Sequence, residues 1–244
     1  MELAYSDTGH GLPLLCLHGG MGVDSQTLHV PGILELASQG IRLIIPDQRG
    51  HGRSVPRDET EYSHLVWASD ARELAVSLGC SRLSILGHSY GGFIALEYAI
   101  RWPDTLTHLV LVATSAGPVA ARMVDAATDE EVGENFRRVW PGFFSGSDKH
   151  WELFDRLTFS ARPYNAAFAR ELPAYDVRAR VGELNVPTLL IVGDGDPYRR
   201  HMEWLASHMA NATLLVFPGV GHFPFIESGS AFTSRVAAFL NTRQ

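Results

Sequence analysis

Cysteine is scarce in this chain: there are two, Cys16 and Cys80. Their spacing supports neither a disulfide framework nor a metal site, and each reads as a small buried hydrophobe. No stretch approaches the roughly 20 consecutive apolar residues of a membrane-spanning helix. The opening Met1-Glu-Leu-Ala-Tyr-Ser-Asp lacks the basic and apolar regions of a signal peptide, so a cytoplasmic location is expected. The formal charge is -7, and no run of lysine or arginine offers an electrostatic footprint for nucleic acid or an anionic membrane. Internal repeats and low-complexity tracts are also missing. The partner expected from these absences is a small neutral or weakly charged molecule; a homo-oligomer is compatible with them.

What is present is apolar residue in short runs. With 244 residues and 45% hydrophobic content, the chain can bury one substantial core. Unalternating apolar runs at about 14–17, 41–45, 83–87, 108–113, 188–193 and 213–217 read as parallel strands buried on both faces. Helical patterns fall between them, at roughly 28–39, 62–78, 91–101, 199–209 and 229–241. This alternation predicts an α/β fold, a mostly parallel sheet flanked by helices, with its site at the carboxyl ends of the strands. Met1 to Tyr5 is assigned an edge strand.

The most informative motif is Gly87-His88-Ser89-Tyr90-Gly91, which lies between an apolar strand and a helical stretch. Gly-x-Ser-x-Gly alone arises by chance in roughly one glycine-rich sequence in ten, so its setting carries the weight. At a strand-to-helix turn this tight, side chains two residues either side of the serine would strike backbone, and the strain presents the hydroxyl above the sheet. A serine hydroxyl needs a base, an acid to orient that base, and donors for the oxyanion. Asp194-Gly-Asp196-Pro follows the strand at 188–193, and Pro218-Gly-Val-Gly-His222 follows the strand at 213–217. The resulting order is Ser, Asp, His. Upstream, His18-Gly-Gly-Met-Gly22 follows the first parallel strand and can turn backbone amides toward a ligand. The amides of Tyr90 and Gly20 are the expected oxyanion donors, with Met21 as the substitute for Gly20.

Placed together, these segments resemble the α/β-hydrolase family, and Asp47-Gln-Arg-Gly-His-Gly-Arg-Ser54 resembles a turn that many of its members carry. The likeness covers nearly the whole chain. It implies a core domain of residues 1–116 and 184–244, with a helical cap inserted at 117–183, and a serine hydrolase with no metal or organic cofactor. It also favours Asp196 over Asp194, because the family places its acid in a Gly-x-x-Asp turn. Ser89, Asp196 and His222 are then the catalytic residues. Asp47 is expected to be a structural partner within its own turn, with Arg49, and His18 and His88 to be supports.

Within 117–183, Thr128-Asp-Glu-Glu131 reads as a capping box opening a helix through about Trp140, and Asp148 as the cap of a second helix through Leu157. Trp140, Phe143, Phe144, Trp151, Phe154, Phe159 and Phe168 are dense enough to glue this segment to the core. Alternatively a few of them, namely Trp140, Phe144 and Phe159, line an apolar pocket. Hydrolysis of a small carboxylic ester or lactone through an acyl-enzyme is the leading function. The Asp-Gln-Arg-Gly and His-Gly-Gly segments are similar to proline iminopeptidases. That activity needs acidic residues for a substrate ammonium, for which Glu130, Glu131, Glu134, Glu152 and Glu171 are candidates. Carbon–carbon bond hydrolysis uses the same residues. A ligand-binding receptor of this fold would be separated by its failure to react with a fluorophosphonate.

Overall fold

Residues 2–54, 61–119 and 125–242 are described by a computed structural model. Met1, residues 55–60, residues 120–124 of the expected cap and residues 243–244 lie outside them. Seven strands form one sheet: β1 (Tyr5–Thr8), β2 (Leu12–Leu17), β3 (Ile41–Pro46), β4 (Leu83–His88), β5 (Leu106–Val112), β6 (Thr188–Gly193) and β7 (Ala212–Phe217). They lie in the order β1-β3-β2-β4-β5-β6-β7. Every neighbouring pair is parallel except β1 against β3. The continuous apolar runs explain this, since β4 and β6 are buried at every position and suit strands covered on both faces.

The edge strand is displaced from its expected position at residues 1–5 to Tyr5–Thr8. Asp7, whose carboxylate takes the Arg42 guanidinium at 2.6 Å, ties it to β3, while Ala4 instead bonds Ser54 and Asp47 beyond the strand.

The principal helices are α1 (His64–Ser77), α2 (Tyr90–Arg101), α3 (Asp129–Val139), α4 (Arg199–His208) and α5 (Gly229–Leu240). The helix expected over 28–39 is instead three short pieces, Ser25–Leu28, Pro31–Leu34 and Glu35–Gln39. Pro31 forces Val30 into extended backbone, which breaks the first turn. Two apolar clusters sandwich the sheet, one built on α1, α2 and α4 and the other on α5 and the aromatic segment. Cys16 and Cys80 are buried and unpaired. No helix of the described residues is long and apolar enough to cross a membrane.

Between β5 and β6 the sheet rhythm stops. Thr128 caps α3 as the sequence pattern predicts, its hydroxyl accepting from the Glu131 amide. The second helix there is only one turn, Trp151–Phe154. Asp148 does not cap it: its carboxylate accepts the His150 amide at 2.8 Å, and His150 takes φ 48°, which turns the chain before the helix begins. A further helical turn, Ala161–Asn165, runs into a π-helical stretch, Ala166–Glu171.

The sheet order has a direct consequence for the site. β2 lies between β3 and β4, so chain direction across the sheet reverses there, and the loops after β2 and β4 emerge side by side at the carboxyl edge. Such a switch point is where open α/β sheets bind ligands.

Candidate active site

Ser89 sits between β4 and α2 as the cap of the helix, with φ 51° and ψ -116°. That conformation is sparsely populated for any residue but glycine and is held only because the surroundings overdetermine it. The Ser89 amide donates to the Val112 carbonyl of β5 and its carbonyl accepts from the Gly92 amide. Close approach fixes the flanking residues. A methyl on Gly91 would run into the Leu17 and His18 carbonyl oxygens, and one on Gly19 into the Ser89 side chain. The β2 loop and the β4 turn are therefore in contact only because glycine occupies these positions.

The β2 loop is braced by the turn after β3. The His51 Nε2 accepts the Gly22 amide at 2.8 Å, and the His18 Nε2 accepts the Gln48 amide at 3.2 Å. Gln48 also donates to the His18 carbonyl. Both imidazoles must be neutral to accept in this way, and burial pushes both downward, His51 to about 3. Asp47 takes the Ser25 hydroxyl at 2.6 Å and the Arg53 guanidinium at 2.9 Å. Burial pushes its carboxyl upward, but these donors outweigh that and hold it below the usual range. Arg49 is not its partner as expected; it reaches across to Asp70 on α1.

Asp196 and His222 come together from the ends of β6 and β7. The His222 Nδ1 lies 2.8 Å from the Asp196 Oδ2, and both side chains are buried. The other carboxylate oxygen accepts the Tyr198 amide at 2.6 Å. Burial raises the Asp196 carboxyl, but the His222 charge, its hydrogen bond and the Tyr198 amide outweigh this and leave it lowered. Asp194 goes elsewhere, accepting the Gly219 and Val220 amides and so pinning the loop that carries His222. Main-chain bonds hold His222 as well. Its amide donates to the Phe143 carbonyl at 2.7 Å, and its own carbonyl accepts from the His88 Nε2 at 2.8 Å.

Ser89, Tyr90, Gly20 and His222 all line one cavity of about 300 Å³. The rest of its wall is largely apolar and aromatic, with Phe136, Val139, Trp140, Phe143 and Phe168 from the β5–β6 connection and Val23, Phe93 and Phe223 from the sheet side; Thr27, His88 and Tyr198 are the polar members. No Asp, Glu, Lys or Arg lines it among the described residues. Of the three aromatics expected there, Trp140 lines the cavity, while Phe144 and Phe159 do not. Phe144 packs behind the wall between Trp140 and Phe223, and Phe159 lies against Phe136 and Phe154. Met21 is buried away from the cavity, where its sulfur accepts from Gln48. The five glutamates are also outside the lining. Glu130, Glu131, Glu134 and Glu152 are exposed, and Glu171 bonds the His64 amide.

Sequence reasoning missed two residues that shape the site. Phe143 stacks on the His222 ring, with centroids 5.2 Å apart. Glu227 accepts the Gly221 amide with one carboxylate oxygen and the Ser145 and Gly146 amides with the other. It thereby links the His222 loop to the β5–β6 connection; a lone glutamate five residues after His222 carries no pattern that announces this.

Comparison with known proteins agrees with the geometry. The profile of the Alpha/beta hydrolase family matches residues 14–235. A 2-hydroxymuconate semialdehyde hydrolase of Pseudomonas sp. (strain CF600) is 33% identical over 255 aligned residues, covering 96% of this chain and 88% of the relative. A thermophilic esterase from Thermogutta terrifontis superposes with a TM-score of 0.78 at 28% identity, covering 98% of this chain and 92% of the esterase. An enol-lactonase from Burkholderia xenovorans LB400 shares the fold, with a TM-score of 0.83 at 23% identity and coverage of 98% and 96%. The chain therefore belongs to the alpha/beta hydrolase family, and it is a hydrolase.

Proposed function

We propose that this protein is a serine hydrolase that cleaves a small, neutral carboxylic ester or lactone through an acyl-enzyme. The observation that carries this reading is the buried His222–Asp196 pair opening onto the same apolar cavity as the strained Ser89. His222 takes the Ser89 proton as the hydroxyl attacks the carbonyl carbon. Asp196 keeps the Nδ1 proton in place and stabilises the imidazolium that forms. The oxyanion is held by the amides of Tyr90 and Gly20. Tyr90 is the first residue of α2, where amides lack intrahelical acceptors and the helix dipole favours negative charge. His222 then protonates the leaving oxygen, and water repeats the sequence to release the acid. The β5–β6 connection serves as the cap that walls the acyl pocket.

The lining favours a neutral substrate. A carboxylate or ammonium buried in an apolar pocket without a partner costs several kcal/mol, and no charged side chain lines this one among the described residues. The proline iminopeptidase reading loses its support, because the glutamates it needs lie elsewhere. Carbon–carbon bond hydrolysis stays as the second reading, favoured by the 33% identity to a semialdehyde hydrolase. A panel of nitrophenyl esters, simple lactones, proline anilide and a carbon–carbon cleavage substrate decides between them. Esters or lactones should turn over fastest, and Ser89→Ala and His222→Ala should each lower kcat by at least about 10³-fold without changing the melting temperature. Faster turnover of the anilide or the carbon–carbon substrate would overturn the ester reading.

A further inference from the structure

We infer that His88 is a positioning residue, whose ring donates from Nε2 to the main-chain carbonyl of His222 and so ties the catalytic base to the strand that carries the nucleophile. The inference rests on the proposed roles of Ser89 and His222. His88 is the last residue of β4, immediately before Ser89. Its Nε2 lies 2.8 Å from the His222 carbonyl oxygen, which can only accept, so Nε2 carries the proton. The opposite nitrogen, Nδ1, is buried with no partner. Rotating the ring to use it would break the one bond the side chain makes.

Packing leaves the ring no freedom. It lies 4.9 Å from each of the His222, Phe223 and Phe225 rings. The titratable groups around it are His222, Asp196 and His18, and burial together with His222 pushes the His88 imidazole down to about 3. It is therefore neutral over the working range of a hydrolase and adds no charge beside the imidazolium that forms on His222.

The arrangement solves a specific problem. His222 sits on a loop after the last strand of the sheet, at the opposite side from β2, and nothing in the sheet hydrogen bonding fixes its distance to Ser89. Its peptide is gripped from one side by the Phe143 carbonyl, which belongs to the β5–β6 connection. The His88 bond is the grip from the other side. It couples the base to the residue next to the nucleophile, so the placing of His222 relative to Ser89 does not rest on the connection alone.

The test compares three variants with wild type on nitrophenyl butyrate: His88→Gln, whose amide nitrogen reaches about as far as Nε2; His88→Met, of the same length with no donor; and His88→Asn, a donor too short to reach. Met and Asn should lower kcat roughly 10- to 100-fold, the scale of a misplaced catalytic group, with KM within about 2-fold. Gln should recover most of kcat even where its melting temperature falls with the others. Met or Asn with wild-type kcat, or Gln no better than either, would refute the assignment. A measurement on wild type stands apart from folding of the variants: ¹⁵N NMR should show His88 as the neutral Nε2–H tautomer, and an Nδ1–H tautomer would equally refute it. If wild type itself fails to react with a fluorophosphonate, the serine hydrolase reading falls; if it reacts and the Met variant reacts at the same rate, only the role of His88 falls.

Discussion

At the residue scale, the two candidate aspartates separate cleanly. Asp196 meets His222 with one oxygen and the Tyr198 amide with the other, while Asp194 holds the backbone of the His222 loop. Asp196→Asn should lower kcat by about 10⁴-fold by fixing the wrong imidazole tautomer, and Asp194→Asn by less than about 10-fold, since the asparagine oxygen can still accept the two backbone amides. The reverse order in steady-state kinetics would reassign the acid. Ser89, Asp196 and His222 could be proposed from the sequence because each follows a recognisable strand, and the ends of open parallel sheets are where sites form. The pocket aromatics were not. Phe143 and Phe144 are adjacent, yet Phe144 is extended at φ -117°, so the two rings leave the chain in different directions. Only the first meets His222 and the cavity, and no periodicity marks which of two neighbours that will be.

Among the elements, the strand-to-helix turn is held by a close backbone approach. A methyl at Gly91 meets the Leu17 and His18 carbonyls, so Gly91→Ala forces β2 and α2 apart. It should destabilise the protein by about 1–3 kcal/mol, as overpacking does, and slow nitrophenyl ester turnover; unchanged urea denaturation and kinetics would show that the contact yields freely. The inner parallel strands were readable because burial on both faces writes an unbroken apolar run, and the edge strand β7, with no buried position, carries a run of the same kind. The edge strand was not, since β1 is mostly exposed and its position depends on Arg42 finding Asp7 from another strand. The helix expected over 28–39 failed for a local reason that was visible, Pro31, whose effect on Val30 outweighs the apolar pattern around it.

Across the whole molecule, three buried histidines link stability to pH. His18, His51 and His88 are pushed below the ordinary value of 6.5, His51 and His88 to about 3, chiefly by burial. Between those limits the unfolded chain binds protons that the folded chain excludes, so the stability these groups confer is complete above pH 6.5 and is lost as pH falls toward 3. Each contributes a slope of up to about 1.4 kcal/mol per pH unit. Urea denaturation should therefore give a lower unfolding free energy at pH 5 than at pH 7. Protonated His51 can no longer accept the Gly22 amide, so the β2 loop should loosen first, seen as faster amide exchange at Gly22. Equal stability at the two pH values would contradict this.

The same long-range logic sets what the chain revealed in advance. Fold class follows from a pattern repeated along the whole sequence, whereas the His88–His222 and Glu227 bonds join segments whose proximity only the folded sheet creates. The central claim is that Ser89 is the activated nucleophile of this cavity, and peptide mapping after reaction with a fluorophosphonate tests it most directly. One phosphonyl group per chain on Ser89, abolished by Ser89→Ala and slowed at least about 10³-fold by His222→Ala, is the predicted result; modification of another residue, or undiminished labelling of the Ser89→Ala protein, would contradict it.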